Sequence, residues 1–155
     1  MWVSIALWVW VLITAMHQTA VHHKMQHAMV ALPGGKIATT QQKAEGLNVV
    51  SHFARPGDAV FQAAQPAVYL PLRVHNPLSF DTANSTDMPR PSDVRLAIRQ
   101  LEKQRVPYVL WSALLDSSCS LPCNDRLTPL RDYLHSAYVP VATLPDGDTL
   151  WRRRE

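Results

Sequence analysis

Apolar residues are arranged in two ways along this chain. They form one unbroken run at the start, and then short periodic groups separated by Pro, Gly and Asn turns. The run WVSIALWVWVLITAM, from Trp2 to Met16, contains no charged residue. About 15 residues at ~1.5 Å rise cover ~22 Å, short of a ~30 Å hydrocarbon core, and continuing through Val21 brings the stretch to ~20 residues. Trp2, Trp8 and Trp10 add the aromatic bulk that favours membrane interfaces. A cleaved signal would begin with Lys or Arg and end in a small-residue cleavage site, but no cation precedes Lys24 and no A-x-A pattern follows. A transmembrane helix over residues 1–22 is therefore expected. With no polar flank ahead of it, the run matches the closing part of a last membrane span better than a self-sufficient anchor. Lys24, Lys36, Lys43 and Arg55 follow it. For a lone helix they would place the rest of the chain in the cytoplasm, whereas earlier helices of a polytopic parent would set the orientation themselves.

Residues 23–35 are expected to be a juxtamembrane linker. In VHHKMQHAM, His23 and His27 stand four apart with His22 beside them, a spacing that would put two imidazoles on one helix face for a metal. We read it as a juxtamembrane helix with its histidines among the headgroups, and assign no metal. No glutamate follows His23 in an H-E-x-x-H pattern. LPGGK, Leu32 to Lys36, breaks that helix and lacks the first glycine of a phosphate loop.

Residues 36–155 carry alternating periods. TTQQKAEGLNVVSHFA spaces Ala44, Leu47, Val50 and Ser51 along one side of a helix. Arg55-Pro56-Gly57-Asp58 turns the chain into AVFQAA, a short buried strand. PAVYLPL is a helical turn or extended segment, with Pro66 able to start a helix and Pro71 to stop it. Asn76-Pro77 is a turn before a short strand near Leu78–Phe80, and ANSTDMPRP is a loop whose Asn84-Ser85-Thr86 matches a glycosylation sequon. From Ser92, a good N-cap, Val94, Ala97, Ile98 and Leu101 repeat at helical spacing above a charged face. VPYVLWSALL, Val106–Leu115, is an apolar strand of the kind buried on both faces. Thr128 caps a helix that opens on Pro129. VPVATL and DTLWRRR are strands joined by an Asp146-Gly147 turn, with Trp151 packed on the sheet. Such alternation predicts an α/β fold: a small three-layer sandwich with a mostly parallel sheet and a C-terminal antiparallel hairpin.

Composition adds a little. Apolar residues make up 47% and charged residues 17%, a balance that suits a chain with a membrane segment. The net charge of +3 owes much to Arg152, Arg153 and Arg154, read as a solvated tail or edge strand, and no interleaved basic and aromatic surface suggests nucleic acid as a partner. Cys119 and Cys123, in SSCSLPCND, are compatible with a small disulfide, with free thiols or, least readily, with a metal. Asp116, Asp125 and Asp132 lie nearest the end of the VPYVLW strand, where open α/β sheets bind ligands. Asp125 with Arg126 is the candidate pair for a polar ligand, weighed against simple stabilisation of the loop and helix start. His52 and His135 read as helix-surface or packed residues. There is no G-x-S-x-G elbow and no glycine-rich dinucleotide fingerprint. No catalytic residue, metal or cofactor is assigned.

Taken in order, PGDAVFQAAQPAVYLPLRVHNPLSFD, IRQLEKQRVPYVLW and YLHSAYVPVATLPDGDTLWRRR resemble the extracytoplasmic C-terminal region of polytopic GT-C-type membrane glycosyltransferases. Those enzymes include the dolichyl-phosphate-mannose protein mannosyltransferases and bacterial family 39 relatives. The resemblance covers most of residues 36–154 through short hydrophobic motifs. It implies sugar transfer from a polyprenyl-phosphate donor at the outer face of a membrane. The family's catalytic acids lie in an early loop with no counterpart here, so the resemblance implies an accessory domain that is non-catalytic on its own. Its partners would be membrane lipid and the transmembrane part of a glycosyltransferase. An extracytoplasmic (periplasmic) location agrees with a Cys119–Cys123 disulfide. The competing expectation is a single-pass anchored α/β interaction or ligand-binding module unrelated to sugar transfer.

Overall fold

A computed structural model describes residues 10–11, 13–14, 27–64, 66–79, 90–115 and 126–155. Of the expected membrane span only four residues fall in this set, and all four are helical. Among the described residues no helix is long and apolar enough to cross a membrane. The remainder of residues 1–22 lies outside the described set, as do His22, His23, the sequon at Asn84 and both cysteines.

The domain opens with a hairpin of β1 (His27–Leu32) and β2 (Gly35–Thr40), antiparallel with His27 opposite Thr40. This corrects the juxtamembrane-helix reading over the described part of the linker: His27–Leu32 is a strand, so His27 is not helical. Pro33-Gly34 forms the turn rather than a helix break. Gly34 is required there because a Cβ would lie 2.2 Å from the Leu70 carbonyl oxygen, and its N–H donates to the Pro71 carbonyl at 2.8 Å.

Helix α1 (Gln41–Phe53) follows at once, with the Thr40 hydroxyl accepting from Lys43 N–H at its N-cap. It buries Ala44, Leu47 and Val50, as their spacing predicts, and Gly46 besides. Then come β3 (Val60–Ala63) and the single turn α2 (Tyr69–Leu72). Pro71 does not stop α2 but sits inside it, where a missing N–H costs nothing because first-turn amides have no intrahelical partner. The strand expected near Leu78 is absent among the described residues: His75 makes a lone bridge to Ala59, and Leu78 and Ser79 bend.

Helix α3 (Pro91–Lys103) starts one residue before the expected cap. Arg90 takes the cap position, its N–H donating to the Asp93 carboxylate at 3.2 Å, so Ser92 lies inside the helix. β4 (Tyr108–Trp111) is shorter than the apolar run that announced it. Arg105 at φ 46° turns the chain into it, and after Ser112 the chain coils into a 3-10 turn at Ala113–Leu115. Helix α4 (Thr128–Ala137) includes Thr128 as its first residue, because the Leu127 carbonyl accepts from both Leu130 and Arg131. β5 (Tyr138–Thr143) and β6 (Thr149–Arg153) close the chain around the expected Asp146-Gly147 turn.

The architecture is α/β with a two-stranded antiparallel sheet and a four-stranded mixed sheet of order β3-β4-β6-β5. The mostly parallel sheet of the sequence reading is thereby corrected. β3, β4 and β5 do run in the same direction, as strand–helix alternation requires, but β6 folds back from its hairpin into the gap between β4 and β5. Among the described residues only β3–β4 is a parallel ladder. β6 is accordingly interior, and its arginines are not an edge. Strand alternation sends Phe61, Val109 and Trp151 to one face, under α3 and α4, and Val60, Leu110 and Leu150 to the other, under α1 and α2.

Candidate functional site

The two faces are closed to different degrees. Under α3 and α4 the packing is continuous: Phe61, Leu101, Leu130 and Tyr138 are wholly buried. Its border is pinned by Arg153, which alternation turns toward α3 while Arg152 and Arg154 stay exposed. Arg153 pairs with Glu102 at 2.6 Å, donates to the Tyr133 hydroxyl at 3.1 Å, and lies 5.7 Å from the Tyr138 ring centroid. Tyr133 in turn donates to Glu102 at 2.7 Å, and the Tyr138 hydroxyl donates to the Val106 carbonyl at 2.9 Å. The hydrogen bonds from Arg153 and then Tyr133 hold the Glu102 carboxyl below its ordinary range, and burial pushes both tyrosines up.

Under α1 the face opens into a cleft of about 240 Å³. Its position follows from topology. β3, β4 and β5 end on the same side of the molecule, and the β5–β6 turn folds over that side. Open α/β sheets bind ligands beyond the carboxyl ends of such strands. Leu47, Val50, Leu110 and Leu144 give the cleft an apolar floor, while β2 and α1 form a wall bearing Thr39 and Lys43. The β5–β6 turn adds Asp146 and Asp148 to the lining.

Gln62 is the polar residue of the floor. It occupies the β3 position opposite Leu110, in a strand that is otherwise apolar, and is only 6% exposed. Its Oε1 accepts from Ala67 N–H at 2.7 Å and Val68 N–H at 3.1 Å, which ties the loop after β3 to the strand. Among the described residues its Nε2 group has no acceptor. Asp148 accepts from the Ala113 N–H at 3.2 Å, joining the end of β4 to the β5–β6 turn. Asp146 accepts from Asp148 N–H at 3.2 Å and shapes that turn. Burial pushes the Asp148 carboxyl above the ordinary carboxylate range and the Asp146 charge adds to it, while bonds from Ser112 and Ala113 pull it back.

The residues singled out from sequence lie elsewhere. Asp125, Asp116, Cys119 and Cys123 are outside the described set, so neither the Asp125–Arg126 pair nor the Cys119–Cys123 pair is located by it. Arg126 is exposed just ahead of α4, and Asp132 is exposed on α4. That helix covers the closed face, opposite the cleft. His52 is exposed on α1, its Nδ1 2.6 Å from the Asn48 carbonyl, and His135 meets the edge of Trp151 at 5.1 Å. Among the described residues no three His, Cys, Asp or Glu side chains converge as a metal site would need. The polar set of the cleft, namely Lys43, Gln62, Asp146 and Asp148, was not found by sequence reasoning. An amide inside a four-residue buried strand is the signal that could have pointed to Gln62. The aspartates read only as turn residues, because nothing local to DGD says that the turn folds over a strand end. Comparison with family models, with curated proteins and with solved structures finds no match to this chain.

Proposed function

We propose that this chain is a membrane-anchored, extracytoplasmic accessory domain of a glycosyltransferase-like protein that uses a polyprenyl-phosphate-linked sugar. On this reading it binds and does not transfer. The apolar run at residues 1–22 serves as its membrane helix, and its partners are membrane lipid and the transmembrane part of the transferase. The order of short motifs across residues 36–154 supports the family context. The observation that carries the binding role is the cleft beyond the ends of β3 and β4, where the Gln62 amide donor, Lys43 and two aspartates line an apolar floor. Pockets for drug-sized ligands run to roughly 300–1,000 Å³, so a smaller one suits a single ring-sized occupant.

The test uses the full chain in lipid nanodiscs with a radiolabelled short-chain polyprenyl-phosphate mannose. The expected result is saturable retention of the label with the glycolipid intact. Release or transfer of the sugar by this chain alone would overturn the non-catalytic assignment. Absence of retention would overturn the donor, leaving the single-pass anchored α/β ligand-binding module unrelated to sugar transfer as the reading to pursue.

A further inference from the structure

The polar groups of the cleft ask different things of an occupant. Gln62 Nε2 is a donor that opens to the cleft and is free to meet an acceptor there. Asp146 and Asp148 offer acceptors from the β5–β6 turn, while Lys43 on α1 is a second donor. An ammonium compound would satisfy the carboxylates but give Gln62 nothing to donate to. A phosphate or carboxylate would meet Gln62 and Lys43 but would bring its charge against two aspartates. A hydroxyl is both donor and acceptor, so a ligand carrying several serves the donors and the acceptors of the cleft while bringing no charge of its own. The floor of Leu47, Leu110 and Leu144 adds that one side of that ligand must be apolar. A pyranose ring has hydroxyls around its edge and a C–H face.

We infer that the cleft is a subsite for one uncharged, hydroxylated six-membered ring, seated with its C–H face on Leu110 and Leu144 and its hydroxyls shared between Gln62 Nε2 and the Asp148 carboxyl. The ring is a free hexose or the sugar end of a glycolipid, which present the same chemistry to these groups. The assignment deepens the proposed accessory role and rests on it only for the glycolipid source. An amide on β3 and a carboxyl in the β5–β6 turn fix the hydroxyl positions, and the small volume limits the ring to one at a time. The phosphate of a glycolipid is excluded from the cleft and stays toward solvent or the membrane.

The full 155-residue chain, labelled with nitrogen-15 in nanodiscs, is titrated with D-mannose, D-glucose, inorganic phosphate and cyclohexylammonium chloride. The expected result is a saturable shift of the Gln62 side-chain amide and the Lys43 and Asp148 backbone signals with either hexose, and none with phosphate or cyclohexylammonium. Gln62→Glu keeps an acceptor for Ala67 and Val68 but removes the free donor, and should weaken hexose binding by about tenfold or more. Asp148→Ala, on a different element, should do the same and covers the case in which Gln62→Glu does not fold. A saturable response to the anion or the cation alone, no saturable response to either hexose, or hexose affinity unchanged in both variants would each overturn the subsite. A short-chain polyprenyl-phosphate mannose separates this from the proposed function. If hexoses bind and the glycolipid does not, the subsite stands and the glycosyltransferase context falls. If the glycolipid binds without moving the Gln62 amide, the context stands and the subsite falls.

Discussion

The two faces of the four-stranded sheet are built from the same strands, one residue out of phase, yet they end in opposite conditions. The face under α3 and α4 is sealed by aromatic and leucine side chains, and its charged groups sit at the border, where Glu102 and Arg153 neutralise each other. The face under α1 is apolar at its centre but gives way, at the strand ends, to Gln62 and Asp148. On the sealed face a partner stabilises the charged form of a carboxyl. On the open face burial without a cationic partner at hydrogen-bond distance destabilises it. The difference separates a carboxyl whose charge is compensated by a bonded cation from one whose charge is opposed by burial.

Substitutions that break the comparison should differ in size in that order. Phe61→Ala empties the centre of the sealed face, and urea unfolding should show a loss of about 3–5 kcal/mol. Gln62→Leu on the open face keeps the volume but leaves the Ala67 and Val68 N–H groups without their acceptor. It should cost about 1–3 kcal/mol by the same measurement, and fragment-level proteolysis should begin in the loop after β3. Tyr138→Phe removes one hydroxyl from a ring that otherwise stays packed, so the Val106 carbonyl loses its partner at a cost of about 0.5–1.5 kcal/mol.

The smallest effects sharpen the comparison through their sign. Glu102 has a folded-state pKa held down by Arg153 and Tyr133. Its contribution is therefore present above the ordinary glutamate range and is lost as pH falls through the folded value. Glu102→Gln should lower the urea midpoint at pH 7 and make no difference in acid. Asp148 has a folded-state pKa pushed up, first by burial. Its neutral form is favoured by folding, so this contribution is full below the ordinary aspartate range and disappears as pH rises through the folded value. Asp148→Asn should raise the midpoint at pH 7 relative to the parent chain, with the gain shrinking as pH falls. Opposite slopes from two single carboxyl substitutions would establish that the faces differ in kind, and parallel slopes would show that they do not.

Much of the frame was legible from local patterns. Ala44, Leu47 and Val50 mark the buried side of α1, and Val94, Ala97 and Leu101 that of α3, because helical spacing on a half-buried element records which side is covered. The Asp146-Gly147 turn fixes the closing hairpin, since few sequences other than one with glycine at φ 89° suit it. The β1–β2 hairpin was hidden because Pro33-Gly34-Gly35 reads equally well as the end of a helix. What makes it a turn is the close docking of Gly34 on the Leu70 and Pro71 carbonyls, a contact about 36 residues away in sequence.

By itself, then, the sequence determined the elements that have a period of their own and the class they add up to, an α/β domain behind an uncharged apolar run. Tertiary structure decided the order of the sheet and the site. A strand's period says that it has two faces, but not which neighbour it will find, and the insertion of β6 between β4 and β5 depends on where β4 leaves an unpaired edge. That same insertion carries Asp148 to within 3.2 Å of the Ala113 N–H and into the lining of the cleft with Lys43. Residues from β2, α1, β3 and the β5–β6 turn share no spacing that a linear reading detects. They meet because three strands end on one side and the hairpin folds back over them.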